Sequence, residues 1–290
     1  CTGSRGKIDS EIITHELAQR LGLSNEEVLI CSTGVIGEPI PIAQAFYIHP
    51  EILEANPDLP DIQDKVYVDA IITVVDSPQF FEMYERESLI PEDDFGRGYS
   101  QLLAEQIEGA DILLLNKIDK TPKNEIKKLK KLLRLMNPRA TMIETSFGEV
   151  PIEKIVDTNI FDINVAEDSS LWVTELEKES GSESDEYGIG TYVYRTLSRF
   201  NEEKLIELFR KGFPSNILRS KGIITIENTD TAFIWNQTGK FITFDAIGRF
   251  NDPNHTYNEI VFIGTNLIPT EIQNTLAKAL VNVEDPITYF

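Results

Sequence analysis

Ile112-Leu113-Leu114-Leu115-Asn116-Lys117-Ile118-Asp119 decides the reading of this chain. An apolar run ends abruptly in Asn-Lys-x-Asp. Such a run suits a parallel strand buried on both faces, and open parallel sheets bind ligands at the carboxyl ends of their strands. The polar residues that follow suit one base in particular. Guanine presents N1–H and an exocyclic amine side by side, and the Asp119 carboxylate can accept both. Adenine lacks that donor pair, and a site built on hydrogen bonds rejects such an analogue by roughly 10⁴-fold. Lys117 offers an aliphatic stem to lay over the base, and Asn116 offers an amide to tie the loop to its neighbours. The same four letters also arise in an ordinary polar turn, so the rest of the chain has to carry weight.

Outward from this loop, strand and helix signals alternate. Residues 66–75 read as a buried strand closed by Asp76, 100–107 as a helix, and 111–115 as the strand before the loop. Residues 124–135 read as an amphipathic helix with a basic exposed face, and 140–144 as a short strand leading into Thr145-Ser146-Phe147-Gly148. Nearer the start, 10–21 has helical spacing and 28–31 is strand-like. This alternation predicts βαβ units and a parallel sheet. Between 164 and 186 acidic residues dominate and Ser-Gly-Ser interrupts them, which predicts a solvated, cleavable linker. Beyond it the pattern changes. Strands are expected at 190–196, 218–227, 232–235, 241–246 and 259–264. Helices are expected at 202–210, with Leu205, Ile206 and Phe209 inward, and at 269–280. This is the pattern of a small α+β domain.

A phosphate cradle of the Gly-x-x-x-x-Gly-Lys-Ser/Thr type does not occur in the sequence. Gly3-Ser4-Arg5-Gly6-Lys7-Ile8 has its glycines too close together, and Ile8 stands where a hydroxyl would hold Mg²⁺. Gly239-Lys240-Phe241 fails in the same way. Base recognition is therefore expected without tight phosphate binding, and Mg²⁺ is expected to matter only if a phosphate site exists.

The 290 residues carry a formal net charge of −21, with 41% hydrophobic and 26% charged residues. That is an ordinary globular composition. The acidity argues against nucleic acid or an anionic membrane surface as a partner. Two cysteines, Cys1 and Cys31, make no disulfide framework, and the default expectation is a reducing, cytoplasmic setting. His15, His49 and His255 lack metal-ligand spacing, and no metal site is expected.

From about Glu38 onward the chain resembles the CobW family of P-loop GTPases, which includes metal-insertion chaperones and zinc-handling proteins. The matching text is Glu38-Pro39-Ile40-Pro41-Ile42-Ala43-Gln44 and Val68-Asp69-Ala70-Ile71-Ile72-Thr73-Val74-Val75-Asp76. It continues through the Asn-Lys-x-Asp loop, Asn137-Pro138-Arg139-Ala140 and Thr145-Ser146-Phe147-Gly148-Glu149-Val150-Pro151. Tyr187-Gly188-Ile189-Gly190, Leu218-Arg219-Ser220-Lys221-Gly222 and Trp235-Asn236-Gln237-Thr238-Gly239-Lys240 resemble the family's C-terminal domain. The resemblance implies a partial P-loop GTPase-like parallel sheet followed by a small α+β C-terminal domain. It also implies GTP as the cofactor, and a zinc or cobalt chaperone function with a client metalloprotein as partner. Asn116, Lys117 and Asp119 match the base-specificity loop, and Ser146 matches the segment beside the guanine. No catalytic residue is carried over. The family's Cys-x-Cys-Cys motif is absent from the sequence, and Cys31 replaces a glutamate on the switch strand.

Residues 1–42 resemble ornithine acetyltransferase instead, through Cys1-Thr2-Gly3 and Glu26-Glu27-Val28-Leu29-Ile30-Cys31-Ser32-Thr33-Gly34. In that family the Thr-Gly pair helps form an oxyanion hole. The two resemblances overlap across 32–42, which suggests a chimera joined there; a CobW-type protein with a diverged N-terminus is the alternative. The expected division is 1–42, an acetyltransferase-like segment; 43–163, a partial GTPase-like domain; 164–186, the linker; and 187–290, the C-terminal domain. The leading expectation for function is a GTP-binding metallochaperone with weak or absent hydrolysis. The alternatives are a non-catalytic interaction module and residual acyl transfer.

Overall fold

The computed structural model describes residues 50–56, 66–84, 98–167, 188–249 and 258–281, with isolated positions from 11 to 48. The chain divides into Cys1–Glu38 and Pro39–Phe290. In the first unit, positions 11, 14, 15, 18 and 19 are helical, in keeping with the spacing over 10–21. The expected strand at 28–31, the Cys31-Ser32-Thr33-Gly34 segment and the greater part of the acidic stretch (168–186) lie outside the described residues. All that follows belongs to the second unit.

After a short helix α1 (Pro50–Ala55), a parallel sheet is built from β1 (Ile72–Asp76), β2 (Ile112–Asn116) and β3 (Thr141–Glu144), in the order β1-β2-β3. Helices α2 (Phe80–Tyr84) and α3 (Tyr99–Glu108) separate β1 from β2, and α4 (Lys123–Met136) separates β2 from β3. The apolar run does what its composition requires: Ile112, Leu113, Leu114 and Leu115 are all buried in the central strand. The expectation of a buried strand over 66–75 is corrected. The strand begins only at Ile72, Tyr67 is 58% exposed, and Val74 is 62% exposed. Among the described residues β1 is an edge strand, and its face that carries Val74 lacks the cover that the apolar letters suggest, whereas Val75 on the other face is buried.

Helix α4 buries Leu129, Leu132, Leu133 and Met136, spaced three, one and three residues apart, while its lysines stay outside. At its end Asn137 acts as a clamp. Its side-chain amide donates to the carbonyls of Ile107 and Ala110, both at 2.8 Å, and its oxygen accepts from the N–H groups of Arg139 and Ala140. A helix C-terminus leaves carbonyls without partners, and Asn137 satisfies those at the end of α3. Asn137→Ala is expected to cost about 2–3 kcal/mol, because buried carbonyls and amides lose their partners together. A urea titration checks this.

After a short helix α5 (Ile163–Glu167), which occupies the start of the acidic stretch, the second sheet begins. It contains β4 (Ile189–Thr196), β5 (Ile217–Thr225), β6 (Thr231–Thr238), β7 (Phe241–Arg249) and β8 (Asn258–Thr265), antiparallel in the order β4-β8-β5-β6-β7. Helix α6 (Glu202–Lys211) follows β4, and α7 (Pro269–Ala277) follows β8. Strand β8 is buried on both faces, and its alternation shows how the layers stack. Val261 and Ile263 pack in one cluster with Leu113, Leu115, Leu132 and Ile107, whereas Ile260 and Phe262 pack in another with Trp235, Leu205 and Leu276. The order of layers is therefore parallel sheet, α3 and α4, antiparallel sheet, then α6 and α7. In α6 the inward residues are Leu205 and Leu208, with Phe209 packed beside them; Ile206, expected inward, is 36% exposed. The helix meets the sheet along a narrower stripe than its apolar letters imply.

Candidate guanine-reading site

Strand β2 delivers Asn116 to the carboxyl edge of the parallel sheet, and the next residue turns sharply. Lys117 has φ 60, in the left-handed region, and Ile118–Lys120 form a single 3₁₀ turn. Asn116 makes this corner possible. Its side-chain oxygen accepts from its neighbour's N–H, on Lys117, at 2.8 Å. The same oxygen accepts from the N–H of Gly148 at 3.1 Å, and so joins the loop after β2 to the loop after β3. The joint is reinforced by backbone bonds: Ile118 N–H donates to Thr145 O at 3.3 Å, and Thr145 N–H donates to Leu115 O at 2.9 Å.

The lysine is also anchored. Lys117 Nζ lies 2.6 Å from Asp76 Oδ2, at the end of β1, where Asp76 pairs in register with Asn116. The pair is partly exposed, so it contributes little stability. Its value is positional, because it stretches the lysine stem across the sheet edge. Thr121 Oγ1 donates to Lys117 O at 3.1 Å and holds the turn from the other side. Asp119 is exposed on this turn, and Ser146 is half-buried at the start of the facing loop. Thr145 Oγ1 fixes that loop by donating to Glu149 O at 2.8 Å.

The structure thus places Asn116, Lys117, Asp119 and Ser146 on two loops that a single side chain ties together. An exposed carboxylate on a fixed turn suits the paired donors of guanine. Sequence reasoning passed over three contributors. By its sequence Asp76 is a strand end, whereas parallel register sets it beside Asn116. Thr145 and Gly148 hold the second loop, and the Thr-Ser-x-Gly spelling was the available signal. Among the described residues, no group of three or more His, Cys, Asp and Glu is placed to hold a metal ion. None of their helices is long and apolar enough to cross a membrane.

Two family models match the chain. "CobW/HypB/UreG, nucleotide-binding domain" covers residues 1–144, and "Cobalamin synthesis protein cobW C-terminal domain" covers residues 189–280.

The chain belongs to the CobW family.

Its CobW relatives include the "Zinc-regulated GTPase metalloprotein activator 1" of Dictyostelium discoideum, 30% identical over 86% of this chain and 59% of that protein. The protein of the same name in Saccharomyces cerevisiae is 26% identical over 88% of this chain and 62% of its own length. The chain spans about three-fifths of the length of these two curated relatives. A stretch of 42 residues is 83% identical to "Arginine biosynthesis bifunctional protein ArgJ" of Prochlorococcus marinus, covering 14% of this chain and 10% of that protein. Among solved structures, a Zn(II)-bound YjiA GTPase from E. coli aligns at TM-score 0.33 and 19% identity, over 79% of this chain and 66% of that one. The fold class is the expected one for a CobW protein: a mixed α/β arrangement with a three-stranded parallel sheet and an antiparallel C-terminal sheet.

Proposed function

We propose that this chain is a guanine-nucleotide-binding member of the CobW metallochaperone family that reads the base through Asn116, Lys117, Asp119 and Ser146. The observation that carries the reading is the double acceptance by Asn116 Oδ1, from Lys117 and from Gly148. It sets both loops at one sheet edge before any ligand arrives, and preorganised donors and acceptors bind at lower ordering cost. Asp119 supplies selectivity. Lys117 supplies a stem held by Asp76. Ser146 opens the second loop. GTP is the expected ligand, a client metalloprotein the expected partner, and the cytoplasm the expected setting. On this proposal residues 43–163 are the partial GTPase-like domain and 187–290 the C-terminal domain.

Tight binding and the Mg²⁺ requirement of P-loop enzymes come from backbone amides, a lysine and a hydroxyl in the phosphate loop. This sequence spells no such loop, so binding should be weak, guanine-selective and little changed by Mg²⁺, with hydrolysis weak or absent. Calorimetry of the 290-residue chain with GTP, GDP and ATP tests this. Asp119→Ala is expected to erase the preference for GTP over ATP, while Lys7→Ala changes nothing. Submicromolar, Mg²⁺-dependent binding would overturn the reading of the phosphate side.

The 42 residues similar to ArgJ favour a second reading for the start of the chain, a fusion joined within 32–42. The genomic sequence upstream of Cys1 tests it: acetyltransferase sequence there supports a fusion, and a phosphate-loop sequence rejects it. Residual acyl transfer by Thr33-Gly34 is tested by an acetylornithine assay, expected to be negative.

A further inference from the structure

We infer that Phe147 is a stacking platform for the nucleobase, acting on the face of the ring whose edge Asp119 reads. The inference rests on the guanine reading above and adds a residue and a division of labour to it. Phe147 is 82% exposed, the most exposed large apolar side chain among the described residues. Its backbone is in the left-handed region, with φ 57, and Gly148 follows at φ 72. The two are the central residues of a turn closed by Glu149 N–H on Ser146 O at 3.1 Å. Central positions with two positive φ values ordinarily take Gly, Asn or Asp, because a side chain there crowds its own backbone. Neither packing nor backbone preference accounts for a phenylalanine at this place.

A ligand does account for it. The turn is fixed to the base-reading loop through Gly148 and Asn116, so the ring is presented at a set position rather than on a loose arm. Exposed aromatic rings beside a polar reading edge are how proteins hold the faces of bases. Stacking of this kind tolerates any base, because every base has a π-face. Phe147 thus contributes affinity for purine nucleotides in general, and Asp119 contributes the choice of guanine.

The test uses the whole chain, with GDP and ADP as ligands, followed by saturation-transfer NMR and calorimetry. Phe147→Asn suits the left-handed backbone and removes the ring. It is expected to weaken GDP and ADP binding alike, by about 5- to 100-fold, without lowering the urea midpoint. Phe147→Trp is expected to restore binding. Asp119→Ala, in contrast, is expected to alter the ratio of the two ligands. A Phe147→Asn chain that binds GDP as tightly as the parent overturns the inference and leaves the guanine reading standing. A loss confined to GDP, or one that follows a fall in folding stability, also overturns it. A parent chain with no preference for GDP over ADP removes both readings.

Discussion

Arg219→Ala is expected to destabilise the protein by about 3–5 kcal/mol, measured as the loss in unfolding free energy in urea at pH 7. Arg219 is 1% exposed in the middle of the molecule, on β5 of the antiparallel sheet. Its guanidinium holds both oxygens of Glu108, the last residue of α3, at 2.6 and 3.0 Å. It also donates to Gln237 O at 2.9 Å and to the Asn236 side chain. Glu108 sits at a helix C-terminus, where a negative charge is unfavourable, and is taken out of water as well. Truncating Arg219 leaves that carboxylate buried, with Lys221 Nζ at 3.5 Å as the remaining cation among the described residues. Pairing Arg219→Met with Glu108→Leu is expected to recover much of the loss, because well-packed apolar pairs often replace buried ion pairs without penalty.

The pH dependence carries a sign that identifies the cause. Burial pushes the Glu108 carboxyl up, but Arg219 and Lys221, through charge and hydrogen bonds, outweigh it and hold it below its usual value. A group depressed on folding contributes stability above its unfolded pKa and loses it as pH falls through the folded one. The parent protein therefore loses this contribution below about pH 4. Without Arg219, burial dominates and the folded value moves the other way. The Arg219→Ala deficit should then shrink as the pH is lowered, and a deficit that grows in acid would contradict the assignment.

Gly222→Ala is the second large effect, expected at about 3 kcal/mol or more, because overpacking against backbone has no inexpensive relief. A Cβ at residue 222 would lie 2.0 Å from the Glu259 carbonyl oxygen and 2.7 Å from Ile260 Cα. Strand β5 lies between β8 and β6, so it cannot move away without opening a ladder. Gly190→Ala on β4 is the matched control. Its Cβ meets nothing within 4 Å, and a near-neutral effect is expected. Urea midpoints for the two variants give the comparison directly. Equal losses would show that the close approach of the Glu259 carbonyl is not what sets the cost.

These positions also explain two runs that resemblance had marked without a reason. Register pairs Arg219 with Thr238, Ser220 with Gln237, and Gly222 with Trp235. Ser220 Oγ donates to Gln237 Oε1 at 2.8 Å and accepts from Trp235 Nε1 at 2.8 Å. Leu218-Arg219-Ser220-Lys221-Gly222 and Trp235-Asn236-Gln237-Thr238 are thus two sides of one buried polar ladder. Such a ladder must be fully satisfied to be tolerated in a core.

Local physics determined much of this protein from the sequence alone. The apolar run 112–115 suited a strand buried on both faces, because it is short and ends at once in a polar loop. The spacing over 124–135 had to give a helix with leucines on one side, and the alternation of elements gave the parallel sheet. Asn116, Lys117 and Asp119 stood out as candidates because the loop that carries them is local in sequence. Tertiary structure decided what depends on partners distant in the chain. It set the cover on each face of a strand, leaving Val74 exposed and Ile206 outward. It placed Asp76 on Lys117, 41 residues away, and Arg219 on Glu108, 111 residues away. It gave Phe147 a strained, exposed place on a turn fastened by Asn116. Periodicity reports which side of an element is apolar; only packing decides whether anything lies against that side, and which charge lies against which.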